Sequence, residues 1–418
     1  MKKITIIISV LFACGAMLRA QQIQSLSFRE YLEKVSAGNL NYGAEKLNVS
    51  AVRADAIAAK VFNDPQLSVS YSNNQNHSLQ MGQNVEVGIT QTLTLGKRGA
   101  NIGLTRSQSE LAEALLADYF RNLRAEAGNA YLELQKQKQL YEVKQSSYNS
   151  MREIAKADSI RFRAGKIMEV EAIQSKLEMD MMRNEVVQAA TDLKNASSSL
   201  SLMMGTVEKD TIYYPSEPLR IIERDYSLDK LLTAAVDNRS DLVAAMKNTE
   251  VARRAVTVAR RDKLPDIDVS LSVTHNDRVL NEEAPAPKYN GITAGVAFPL
   301  KFSSLNKGAL QAAKFRAQQA EMQYDQARLQ VQTEVMQAYR RFESLQDQVK
   351  HYQGGMMEKA NEVLDGKIYS YHRGEAPLLE ILDARRTYNE VQSQYIETLY
   401  DYNAALVELE RTAGIWDL

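Results

Sequence analysis

Two pairs of segments alternate between apolar residues and polar or small ones. Apolar residues occupy alternate positions from Leu67 to Tyr71 and, with Gln91 as an exception, from Val85 to Leu95. The alternation recurs from Ile267 to Val273 and from Ile292 to Leu300. Period-two alternation predicts β-strands with one apolar face. Strands of about ten residues fit a tilted transmembrane strand, although the pattern alone fits a soluble sheet with one buried face equally well.

The longest stretches of the chain carry apolar residues at steps of three and four. One run extends from Leu116 to Ala155, a second from Met179 to Met203 and a third from Ala320 to Tyr352. Such heptads need partner helices to cover their apolar seam. An uninterrupted helix from Ala100 to Asp158 would be about 88 Å long at ~1.5 Å per residue. A helix of that length must pack beside similar helices rather than over a compact core.

The order of helix, strand pair and long helix pair occurs twice along the chain. Pro65 and the strand that follows it are matched by Pro265 and its strand, about 200 residues later. Phe162-Arg163-Ala164-Gly165 is likewise matched by Tyr371-His372-Arg373-Gly374. This self-similarity predicts two structural repeats. Their predicted bounds are 21–204 and 227–418, with an inter-repeat linker at 205–226.

Composition favours long helices and excludes several functional classes. The 418 residues include only 8 prolines and 19 glycines, so helix breakers are scarce. Lys and Arg total 51 against 52 Asp and Glu, which excludes the basic surface expected of a nucleic-acid binder. The four histidines show no ligand spacing, and no nucleophile or metalloprotease motif is present. We therefore expect no enzyme activity, no cofactor and no metal site.

Residues 1–20 predict an export signal rather than a folded element. Lys2 and Lys3 precede an apolar run from Ile4 to Leu18, and Ala20 offers a small residue for cleavage. The run is shorter than the ~20 residues that a membrane-spanning helix needs. Leu11-Phe12-Ala13-Cys14 also resembles a bacterial lipobox. Lipidation of Cys14, in place of simple removal with the signal, therefore stays open as an alternative.

The duplication, the two strand pairs and the helix turns at Phe162 to Gln174 and Tyr371 to Asp383 together resemble the TolC-like outer-membrane efflux proteins. The stretch Leu95-Gly96-Lys97-Arg98-Gly99-Ala100 is similar to the corresponding stretch of the heavy-metal (cobalt-zinc-cadmium or copper) branch. The resemblance implies an α+β membrane protein built as a homotrimer. Each protomer would contribute four strands to a transmembrane β-barrel and its long helices to a coiled-coil α-helical barrel.

The function that this resemblance implies is the outer-membrane exit duct of a tripartite efflux pump. The duct would sit in outer-membrane lipid, project its tunnel into the periplasm and passively conduct substrates from an inner-membrane efflux transporter and a periplasmic adaptor protein. The pump would select the substrate, so the chain does not reveal which substrate passes. The alternative is a periplasmic coiled-coil adaptor or scaffold without a channel, which has no need of lipid-facing strands.

The resemblance also implies which residues close the periplasmic end of the tunnel. The matching positions are acids at Glu380 and Asp383 of the second tip and Glu171 of the first, a linking tyrosine at Tyr371, and tip turns at Gly165 and Gly374.

The spacing of two of these acids suits a gate. Glu380 and Asp383 are three residues apart, so both can point from one helix face into the lumen. Threefold symmetry would crowd their carboxylates, attract cations and raise some carboxylate pKa values. The alternative is that these acids complement the helix dipole in a first turn.

Three methionines raise a different question. Met179, Met182 and Met203 could bind a soft metal. All three occupy the heptad seam, which favours core packing instead.

Overall fold

The computed structural model of the protein describes residues 22–74, 80–207, 211–300 and 307–417. The predicted export signal at 1–20, with Cys14, lies outside the described residues. The first half contains β1 (Gln22–Leu26), α1 (Phe28–Gly38), α2 (Leu40–Ala58), β2 (Gln66–Asn73), β3 (Gln83–Leu93), α3 (Lys97–Arg163) and α4 (Glu169–Met203). The second half contains β4 (Thr211–Pro215), α5 (Leu228–Asn238), α6 (Ser240–Arg261), β5 (Ile267–Asn276), β6 (Tyr289–Ala297), α7 (Lys307–His351), a π-helical segment (Tyr352–Met356), α8 (Met357–His372) and α9 (Leu378–Ala413).

The fold divides into two compact units, and each draws on both halves of the sequence. One unit comprises residues 45–118 and 240–330, with the strands β2, β3, β5 and β6. The other comprises the described residues up to 44 together with 119–239 and 331–417, and it contains both tip turns.

The four predicted strands are confirmed and form one antiparallel sheet in the order β2-β3-β5-β6. The register aligns the apolar residues in rows, such as Val69, Val87, Val273 and Ile292. The neighbouring residues along each strand point to the opposite face of the sheet, where Ser68, Gly88, Ser272 and Thr293 form a row of small or polar residues. The large apolar side chains are exposed, and Ile292 is 77% accessible. The sheet therefore has one apolar face and one face of small or polar residues.

The small residues allow the second face to pack closely. A Cβ atom at Gly88 would lie 3.0 Å from Ser68 Oγ and 3.2 Å from Ser272 Cβ.

The alternation predicts that the second and fourth strands continue to Leu95 and Leu300, but β3 ends at Leu93 and β6 at Ala297. A strand ends where its partner ends, and Leu93 is paired with Ile267, the first residue of β5.

Two short strands, β1 and β4, are absent from the sequence prediction. They pair in parallel from Gln22 opposite Thr211 to Leu26 opposite Pro215, so β4 lies inside the predicted linker. Leu26 and Tyr213 are buried in a cluster with Tyr31 and Tyr131. Because strands of five residues carry almost no periodicity signal, pairing between distant segments decides their structure.

A matched pair of tyrosines in this cluster gives a stability prediction. The rings of Tyr31 and Tyr131 stack with centroids 5.9 Å apart. Tyr131 Oη donates to the Leu26 carbonyl at 2.8 Å, whereas the buried Tyr31 Oη has no hydrogen-bond partner in the described chain. We expect Tyr31→Phe to raise the free energy of unfolding by up to about 1 kcal/mol and Tyr131→Phe to lower it by about 1 kcal/mol. Chemical unfolding in detergent checks both; a greater loss from Tyr31→Phe would contradict the assignment.

The long helices differ in continuity. α3 is unbroken over 67 residues and extends beyond the predicted range at both ends. The second-half run is broken between α7 and α8, where Gly355 has φ 95° and Gly354 has ψ 18°. Only glycine adopts such a positive φ without steric cost. The heptad pattern predicts helix as far as Tyr352 and does not reveal this break.

The heptad seams are buried, as predicted. Met182 belongs to one hydrophobic cluster, Met179 packs against the same cluster, and Met203 packs against the cluster of Tyr31. Core packing is therefore confirmed for these three methionines. In the four described ranges, no helix is both long enough and apolar enough to span a lipid bilayer.

Candidate functional site at the helix tips

Two helix turns carry the site residues predicted from the sequence. The first tip joins α3 to α4 and the second joins α8 to α9. Gly165 (φ +68°) and Gly374 (φ +78°) lie in the left-handed region that lets a helix end abruptly. Equivalent backbone bonds of 2.9 Å close both turns, from Lys166 N to Arg161 O and from Glu375 N to Ser370 O. The two tips therefore share one backbone geometry.

Tyr371 connects the second tip to the first. Its hydroxyl donates to Asp158 Oδ1 at 2.6 Å, and both side chains are buried. The other carboxyl oxygen, Asp158 Oδ2, has no hydrogen-bond partner in the described chain. Arg161 lies 3.7 Å from Asp158 Oδ1, and its guanidinium stands 4.8 Å from the Tyr371 ring centroid. The carboxylate of Asp158 thus depends on one short bond and one longer charge contact.

The surroundings of Tyr371 keep it a hydrogen-bond donor. Burial raises the pKa of Tyr371, and the hydrogen bond and charge of Asp158 raise it further. The charge of Arg161 partly opposes this rise in the pKa of Tyr371, and the charge of Glu171 adds a smaller increase. The phenol therefore stays protonated well above neutral pH and can hold Asp158 throughout the physiological range.

The sequence interpretation names Tyr371 but not its partner. Asp158 follows Tyr148, Met151 and Ala155 at the next heptad step, which is otherwise an apolar seam position. A charged residue on a buried seam needs a partner, because an unpaired buried charge is costly. That irregularity is the signal in the sequence that points to Asp158.

Glu380 and Asp383 lie in the first two turns of α9, directly after the N-cap residue Pro377. Glu380 Oε2 pairs with Lys367 Nζ at 2.7 Å, and Asp383 Oδ1 pairs with Arg386 Nη2 at 2.9 Å. All four side chains are exposed, so these pairs contribute little to stability. The two carboxylates remain in contact with water, and neighbouring cations offset part of their charge.

Most of the chain matches a single protein family. The family model described as "Outer membrane efflux protein" matches residues 32–206 and residues 231–415. The chain belongs to the outer membrane efflux protein family. One relative, the cobalt-zinc-cadmium resistance protein CzcC of Cupriavidus metallidurans, is 23% identical over 401 residues, which are 93% of this chain and 90% of the relative.

Solved outer-membrane channels have the same fold. The Campylobacter jejuni CmeC channel superimposes with a TM-score of 0.76 at 15% identity, covering 93% of this chain and 85% of that channel. The open state of the Neisseria gonorrhoeae MtrE channel gives a TM-score of 0.74 at 17% identity, covering 93% and 89% respectively. The resemblance found in the sequence is therefore confirmed, and this efflux protein acts as an outer-membrane exit duct.

Proposed function

We propose that three copies of this efflux protein close into one duct that passively conducts substrates from an inner-membrane transporter and a periplasmic adaptor to the cell exterior. The sheet is the observation that carries the proposal. In the described part of the chain, the outer edges of β2 and β6 pair with no other strand. Open strand edges are not tolerated in a bilayer, because their backbone groups find no hydrogen-bond partners there. Joining β6 of one copy to β2 of the next removes both edges.

The two faces of the sheet support the same arrangement. Three copies of a four-stranded sheet make a barrel of twelve strands, an even number within the range of bacterial outer-membrane barrels. The exposed row of Val69, Val87, Val273 and Ile292 would then contact lipid. The small and polar row beside it would line a wet lumen. A soluble scaffold would leave the apolar face in water, which disfavours that alternative.

The helices also leave apolar stripes that a second copy can cover. On α7, the exposed residues Phe315 and Met322 are spaced by seven, the interval of one heptad position. On α4, the exposed residues Val170, Ile173, Leu177 and Met181 lie opposite the buried seam. A helix with two apolar faces packs on two sides, so the second face favours contact between protomers.

The α4 stripe allows the trimer to be tested. Leu177→Asp places a charge on the stripe, and we expect the cross-linked trimer fraction in detergent to fall several-fold. Lys176→Asp, on the exposed flank one residue away, is the matched control and should retain the trimer. Equal trimer fractions in both variants would argue against this stripe as a contact.

Planar-bilayer recording of the wild-type protein tests the channel. We expect a small cation-selective current, because the Tyr371–Asp158 link would hold the tip closed and the tip carries exposed acids. Correct membrane insertion with no current from the wild type or from tip variants would favour the scaffold alternative.

The proposal extends to heavy-metal cations as the transported substrate. The relative named for cobalt, zinc and cadmium resistance and the Leu95-to-Ala100 stretch both favour it. Deletion of the gene should then sensitise its host to these cations and not to dyes or detergents. The opposite pattern would identify organic substrates.

A further inference from the structure

Arg385 of α9 is a buried arginine without a counter-charge. Its side chain is only 4% exposed, and its Nε has no hydrogen-bond partner in the described chain. No carboxylate among the described residues forms an ion pair with it, and the side chain that acts on its pKa is Tyr388, a neutral phenol at physiological pH. Burial lowers the pKa of Arg385. Its neighbours differ, since Arg161, Arg373 and Arg386 each pair with a carboxylate.

Helix periodicity places Arg385 on the face of α9 that packs against α3. Ile381, one turn earlier, is fully buried in a cluster with Met151 and Ile154 of α3. Asn389, one turn later, accepts a 2.8 Å hydrogen bond from Ser147 Oγ of α3. Residues four apart share a helix face. Arg385 therefore lies in the same α3–α9 seam, between an apolar cluster and a polar pair.

A charge in this position opposes the packing around it. A guanidinium removed from water without a carboxylate loses its hydration and gains no compensating ion pair. An apolar side chain of similar length would fill the same space without that loss. Separation of α3 from α9 would expose the buried Nε and the rest of the guanidinium to water. The closed seam thus contains a group that is more stable when the seam is open.

We propose that Arg385 is a positioning residue of the channel, which keeps the closed tip only marginally stable so that a docked partner can open it. The inference rests on the proposed channel function. It assigns to the α3–α9 seam an opening role separate from that of the Tyr371–Asp158 link, which joins α8 to α3 and would hold the tip closed. Arg385 favours the open tip and the Tyr371–Asp158 link favours the closed tip, so the two have opposite effects on the equilibrium between them.

The test compares four variants with the wild type in lipid bilayers. Arg385→Met keeps the length and removes the charge, Arg385→Gln is a neutral polar alternative should the methionine variant fail to assemble, and Arg385→Lys keeps the charge. Arg183→Met changes an exposed arginine of α4 and serves as the control. We expect both neutral variants to lower the open fraction at least about tenfold, equivalent to ~1.4 kcal/mol. The lysine variant and the control should match the wild type.

A second readout separates gating from general structural change. Ser147→Cys/Asn389→Cys replaces two side chains that are hydrogen-bonded across the seam at 2.8 Å, so cross-linking of the two thiols by a short bifunctional reagent reports the closed seam. Arg385→Met in this background should cross-link faster. The proposal would be overturned if Arg385→Met left the cross-linking rate unchanged, or if it left the open fraction unchanged or raised it. It would also be overturned if Arg385→Lys lowered the open fraction as much as Arg385→Met does. Silence of the wild type and of the tip variants alike would refute the channel itself, and the cross-linking rates would still decide the role of Arg385.

Discussion

Tyr371→Phe is expected to raise the single-channel conductance of the closed duct several-fold. The substitution removes the 2.6 Å bond to Asp158 and leaves a fully buried carboxylate with only Arg161 at 3.7 Å. Loss of the donor from a buried, hydrogen-bonded charged group costs about 1–3 kcal/mol or more. That cost falls on the closed state alone, because an opened tip lets water reach Asp158. Recording in planar bilayers measures the change directly.

Three further variants determine whether the charge on Asp158 causes this effect. Tyr371→Phe/Asp158→Leu removes both polar groups and should return the conductance towards the wild-type value. Asp158→Asn keeps a hydrogen-bonding group without the charge and should have a smaller effect than Tyr371→Phe. Tyr369→Phe alters an exposed tyrosine on the same helix and should change nothing. Equal conductances in Tyr371→Phe and Tyr369→Phe would show that the link does not hold the tip.

Glu380→Ala/Asp383→Ala is expected to abolish most of the cation selectivity of the channel. Both carboxylates are exposed near the start of α9, and a trimer would bring six of them to one constriction. Rings of acidic side chains select for cations. The reversal potential under a salt gradient measures this selectivity, and an unchanged value in the double variant would contradict the gate assignment.

The ion pairs of these acids provide the complementary experiment. Lys367 and Arg386 offset the charges of Glu380 and Asp383 at 2.7 and 2.9 Å. Lys367→Met/Arg386→Met should therefore shift the reversal potential in the opposite direction, towards stronger cation selectivity. If the acids only complement the helix dipole, neither double variant should alter selectivity, and the effect of the alanine variant should appear in stability instead.

Local periodicity predicted much of the fold because it reports which face of each element is buried or apolar. Alternation located β2, β3, β5 and β6, and heptads located the long helices. The same reasoning missed β1 and β4, whose five-residue strands depend on a partner almost 190 residues away in the chain. It also missed the break at Gly354 and Gly355, because backbone conformation there does not alter the apolar pattern before it.

In the candidate site, too, the sequence indicated some features and only the tertiary structure revealed others. The sequence by itself, through its resemblance to a family, singled out the two glycine turns, the acids of the second tip and Tyr371, since all of them lie around the turns between long helices. Only the tertiary structure decided that Tyr371 bonds Asp158, 213 residues earlier, and that Arg385 lies in a seam without a counter-charge. Periodicity shows that a position faces a neighbouring helix. Which side chain meets it there, and whether its charge is balanced, depends on the register between helices, and only the folded chain establishes that register.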